Sequence, residues 1–167
     1  MIKTGRAGMA ARAGHDLTIE VTRWSARAEV PAEEAGGLAA ATVAAELDLG
    51  SLEVREGTGG VKPLTDGDRR DIKKTMGRIL GDGTASFASS RIDPAQGAIE
   101  GTLTLHGTTQ PARLQVTEPE PGRYRGSAIV PQTAFGIKPY TGFLGALKLR
   151  DEVVVEFEVD VTKAGSA

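Results

Sequence analysis

A chain of 167 residues, 40% apolar and 25% charged, is long enough to bury one ordinary core and is neither disordered nor membrane-spanning in composition. Its net charge of −2 at pH 7 argues against a nucleic-acid partner, which needs a basic footprint. It has no cysteine, which excludes disulfides, thiolate metal sites and cysteine nucleophiles. One domain over residues 1–167 is expected.

The first residues, MIKTGRAGMAARAGHDL, are basic and small and contain no apolar stretch of secretory length, so a cytoplasmic location is expected. A strand is read over 16–30. Its apolar set moves from odd positions (Leu17, Ile19, Val21) to even ones (Trp24, Ala26, Ala28, Val30), which predicts a bulge or bend near Thr22–Arg23. Residues 39–49 alternate, with Ala41, Val43, Ala45, Leu47 and Leu49 on one face, and a short strand follows at 52–55.

The rhythm then changes. Ile72, Met76, Ile79 and Leu80 recur at helical spacing, which predicts a helix over about 66–80, capped by Thr65 or Asp66 and ended by Gly81 or Gly83. Its Arg69, Arg70, Lys73, Lys74 and Arg78 read either as a solvated face or as groups that meet an anion or headgroup.

Strands resume at 85–92, 98–106, 112–117 and 124–130, with EPEPGR (118–123) as a turn between two of them. The last strand alternates most clearly: Val153, Val155, Phe157, Val159 and Val161 oppose Glu152, Glu156, Glu158 and Asp160. Sharp alternation implies sheets with one apolar and one wet face, hence antiparallel pairing, in a closed sheet or a sandwich.

Candidate chemistry is sparse. His15 and His106 are the only imidazoles and neither has a second histidine three to five residues away, so no metal motif forms. No nucleophile elbow or phosphate-binding glycine loop is present. The segment FGIKPYTGFLGALKLRDEV (135–153) gathers Phe135, Ile137, Tyr140, Phe143, Leu144 and Leu147 among glycines and prolines. It reads either as a plug on the core or as a pocket wall, with Lys138, Lys148 and Arg150 as candidate polar anchors. Small residues on the inward faces (Ala26, Ala28, Ala41, Ala45, Gly101, Ala112 and Ala128) tilt an eight-stranded barrel toward a cavity, although a flatter sandwich closes the same gap.

Four pieces in order, ASFASSRI (85–92), GTLTLHGTTQPARLQV (101–116), AFGIKP (134–139) and LRDEVVVEFEVDV (149–161), resemble the YceI-like family of polyisoprenoid-binding proteins. The resemblance runs over roughly residues 65–162. It implies an all-β, antiparallel, lipocalin-like elongated β-barrel of about eight strands with one helix, around an apolar tunnel for an isoprenoid chain or similar amphiphile. It also implies that LHGTTQPA is a hairpin turn, with Gly107 at its tight position and Pro111 ending the loop, so His106 is not carried over as catalytic.

The expectation is therefore a non-enzymatic protein that binds, transports or sequesters an isoprenoid-like lipid. Leu103, Leu114, Val155 and Phe157 would line the barrel, Phe135, Ile137, Tyr140 and Phe143 would sit near its mouth, and Lys138 would meet a headgroup. No catalytic residue, metal or cofactor is expected, nor a nucleic-acid partner or stable membrane insertion, and the resemblance permits a homodimer. Two alternatives stand beside this: a structural or protein-interaction barrel with a filled core, and a hydrolase or isomerase of lipophilic substrates.

Overall fold

The computed structural model describes residues 1–161, apart from the side chain of Phe143. Two short strands, β1 (Ile2–Lys3) and β2 (Arg6–Ala7), open the chain. A long hairpin follows, and each of its arms is bent once. One arm is β3 (Asp16–Val21) and β4 (Trp24–Glu29); the other is β5 (Thr42–Asp48) and β6 (Leu52–Thr58). Helix α1 (Asp66–Leu80) leads into a meander of β7 (Thr84–Asp93), β8 (Ala98–Leu105), β9 (Thr108–Glu120) and β10 (Arg123–Pro131). Two small strands, β11 (Thr141–Gly142) and β12 (Leu147–Leu149), precede β13 (Glu152–Asp160).

Ten of these strands form one sheet in the order β4-β5-β7-β8-β9-β10-β13-β1-β3-β6, antiparallel at every pairing. The two ends of that order are the two halves of the same bent hairpin, since β3 pairs with β6 and β4 with β5. The sheet thus curls back on itself. Ten strands with each bent arm counted twice make eight around the ring. Closure is uneven, because β1 is two residues long and β4 pairs with β5 alone among the described residues.

The bend falls where the alternation slips, at Thr22 and Arg23, between the odd buried set Leu17, Ile19, Val21 and the even set that begins at Trp24. Ser51, 1% exposed, holds the corner. Its hydroxyl accepts the Arg23 N–H at 2.9 Å and donates to the Asp48 carbonyl at 2.7 Å. The Thr22 N–H and hydroxyl both donate to the Ser51 carbonyl. Asp48 adds a 2.7 Å ion pair to Arg23 and accepts the Gly50 N–H. A buried backbone that leaves the ladder needs such partners.

Helix α1 spans the expected residues. Thr65 and Asp68 form a capping box: the Asp68 N–H donates to the Thr65 hydroxyl at 3.1 Å and the Thr65 N–H to the Asp68 carboxylate at 2.9 Å. Gly81, at φ 71°, ends the helix with a backbone angle that disfavours a side chain. Ile72, Met76 and Leu80 pack on Leu17, Ile19, Val21, Leu52 and Val54, while Ile79 and Leu80 pack on Val130, Phe135 and Ile137. The helix therefore covers one end of the barrel, here called the helix end. The other, open end is ringed by residues 30–41, 94–97 and 121–122.

The turn after β8 is a two-residue hairpin in which His106 (φ 52°) and Gly107 (φ 75°) both take left-handed angles, the type I′ pattern. Pro111 does not end this loop. It lies inside β9 opposite Thr102, at a position whose nitrogen faces away from β8. Pairing with β10 is confined to Gln115 and beyond, so the missing N–H costs no ladder bond. The apolar 135–153 segment folds inward at Phe135 and Ile137, which are 2% and 3% exposed, then forms a three-stranded sheet β11-β12-β2 at the helix end.

Candidate ligand cavity

The barrel is hollow. A cavity of about 1740 Å³ runs through it, larger than the roughly 300–1,000 Å³ of a drug-sized pocket. Alternation builds the wall. Every second residue of each strand turns inward, and these are chiefly small or aliphatic: Ala26 and Ala28 on β4, Ala45 on β5, Ala112 on β9, Ala128 on β10, with Ala41 just before β5.

Glycines keep the rings out of the lumen. A Cβ on Gly126 would lie 2.2–2.9 Å from ring atoms of Phe157, its cross-strand partner. A Cβ on Gly101 would meet the Phe87 ring at 2.8 Å and the Ala88 carbonyl oxygen at 2.2 Å. Each ring thus lies against the wall over a missing side chain, and the centre stays open.

Polar groups on the wall are outnumbered by apolar ones. His15 lines the helix end, where its Nε2–H donates to the Lys62 carbonyl at 2.7 Å and its ring sits over Gly60. At the open end, burial and the neighbouring Glu118 push the Tyr124 phenol above its usual value. Among the described residues, no three His, Cys, Asp or Glu gather as a metal site, and no wall hydroxyl is hydrogen-bonded to a histidine. No helix there is long and apolar enough to cross a membrane.

A family model, the YceI-like domain, matches residues 6–161. The chain belongs to the YceI-like family. That family is commonly linked to lipid or polyisoprenoid binding and is generally a family of binding proteins rather than enzymes. No curated protein matches the chain closely enough to be reported as a relative. The match extends the C-terminal resemblance back through the whole first hairpin.

Of the residues expected at the site of this YceI-like barrel, Leu103, Leu114, Ile137, Tyr140, Val155 and Phe157 stand on the cavity wall. Phe135 stands behind it, packed in the cluster with Val130 and Ile137. Lys138 is exposed and off the wall, because the chain turns outward after Ile137. The side chain of Phe143 lies outside the described residues. Gly101, expected on the inner face, is covered by Phe87. Sequence reasoning did not assign to the site Trp24 beside the bend, Val30 and Leu38 at the open end, or Met76 and Ile79 of the helix. Their apolar spacing was the available signal, but it reads equally as core.

Proposed function

We propose that this protein binds a single-chain or branched apolar lipid, isoprenoid-like in shape, inside the barrel, and carries or sequesters it without chemical change. The observation that carries the reading is the connected 1740 Å³ hollow with an aliphatic wall. Such a void favours a carrier over a barrel filled by its own side chains. Burying a chain there is worth roughly 0.8 kcal/mol per methylene, so a few isoprene units suffice for firm binding. That His15 is held by the Lys62 carbonyl, and that no wall hydroxyl among the described residues is hydrogen-bonded to a histidine, favours a binding role over a hydrolase or isomerase, which needs an acid, base or nucleophile aimed at the substrate.

The test is native mass spectrometry and organic extraction of freshly purified protein, followed by exposure to a prenyl alcohol. The reading expects co-purified lipid or stoichiometric uptake. Protein that is empty and takes up no offered prenyl lipid would sink it.

A further inference from the structure

We propose that the helix end of the barrel is a docking surface for an anionic lipid bilayer. The lipid-binding reading gives this docking its purpose, but the two fail independently.

The first observation is a cationic ridge. Arg70, Lys74 and Arg78 recur every four residues of α1, on the face opposite Ile72, Met76 and Ile79, which line the cavity. The inner face looks into the barrel, so the ridge looks out of its end. The flanking cations are used elsewhere: Arg69 donates to the Val54 and Arg55 carbonyls, and Lys73 pairs with Glu53. The three ridge cations make no ion pair among the described residues; Arg78 donates only to the Thr75 hydroxyl, and neither Asp66 nor Asp71 pairs with them. Like charges one turn apart repel, so the spacing of the three cations among themselves does not stabilise the helix.

The second observation is independent. Three loop tips at the same end hold apolar side chains in solvent: Met9 is 97% exposed, Val61 79% and Leu144 109%. Leu144 is held at φ 55°, a backbone region unfavourable for leucine. Hydrogen bonds tie the tips together. The Ala10 N–H donates to the Ala146 carbonyl, the Arg6 guanidinium donates to the Ala11, Gly14 and Gly59 carbonyls, and His15 reaches Lys62. Exposed Lys62, next to Val61, and exposed Lys138 and Lys148, on either side of Leu144 in the chain, make no ion pair among the described residues.

Exposed apolar tips set among unpaired cations fit a surface that is anionic outside and oily within. Beneath the tips, Tyr140, Leu147 and Leu149 are cavity wall, so docking brings the bilayer against the binding site. The open end also exposes Val30 and Leu38, but Glu29, Glu33 and Glu34 beside them oppose an anionic surface.

Sedimentation with vesicles of phosphatidylcholine alone, or with 30% phosphatidylglycerol, tests this with the full chain. The expected result is binding to the anionic vesicles only, abolished near 1 M salt. The triple variant R70Q/K74Q/R78Q should lose about a hundredfold in partitioning, from about fivefold per cation. Val61→Ser with Leu144→Ser should weaken binding at every salt concentration. Lys62→Gln with Lys148→Gln, off the helix, should weaken it where a helix variant fails to fold. Prenyl alcohol uptake from dilute ethanol should be unchanged in all of these. Equal binding to both vesicle types, an unchanged triple variant, or equal capture of duplex DNA would overturn the proposal.

Discussion

The two ends of the barrel use similar apolar residues in opposite ways. At the helix end, Ile19, Leu52, Phe135 and Ile137 are covered by Ile72, Met76, Ile79 and Leu80, and burial is complete. Val30 and Leu38 at the open end, and Trp24 beside the bend, face the same hollow and remain about half exposed. The first set holds the fold; the second leaves apolar surface that an occupant of the cavity would bury. The difference teaches that hydrophobicity alone does not separate core from site in a hollow barrel. What separates them is whether another element reaches across.

Stability should therefore be unequally distributed. Phe135→Ala at the packed end should cost about 3–5 kcal/mol in urea unfolding, as a large side chain removed from a tight cluster. Leu38→Ala at the open end should stay within about 0.5 kcal/mol. Equal losses would break the comparison.

The corner between the ends comes next. Ser51→Ala leaves the Arg23 N–H without its acceptor in a site that is 1% exposed, and should cost about 1–3 kcal/mol. Removing the cap of the covering helix, Thr65→Ala, should cost about 1 kcal/mol and lower the helical signal in circular dichroism.

Acid gives the smallest effect. The Arg23 guanidinium, with the Gly50 N–H, holds Asp48 below its usual 3.8, and the Thr65 N–H and hydroxyl hold Asp68 below the same value. Because the folded values are depressed, their stabilisation is whole above pH 3.8 and is lost as pH falls through the lower folded values. Asp48→Asn should flatten part of that fall in a series of melts, and an unchanged slope would remove Asp48 from the account.

Much of this was legible in the sequence where a period is long enough to read. The slip at Thr22–Arg23 marks the bend, and the stripe from Ile72 to Leu80 marks the helix to the residue. β1, β2, β11 and β12 are two or three residues long and carry no period, so the small sheet and the ring's narrowest strand could not be seen. Pro111 reads as a loop breaker because local rules do not know that β10 stops short of it. The rings of Phe87 and Phe157 over glycines depend on cross-strand register, which a single strand does not reveal. Phe135 and Lys138 lie in an apolar loop whose direction is set by tertiary contacts, so one sinks into the core and the other leaves the wall.

Trp24, the only tryptophan, lines the cavity beside the bend and reports directly on whether the hollow takes a lipid. Titration with a prenyl alcohol should shift its emission to the blue and saturate at one equivalent. The same titration of Ala45→Phe with Ala128→Phe, which fills the lumen, should give little shift while the protein stays folded. A flat emission spectrum in the unmodified protein, or an undiminished shift in the filled one, would contradict the account.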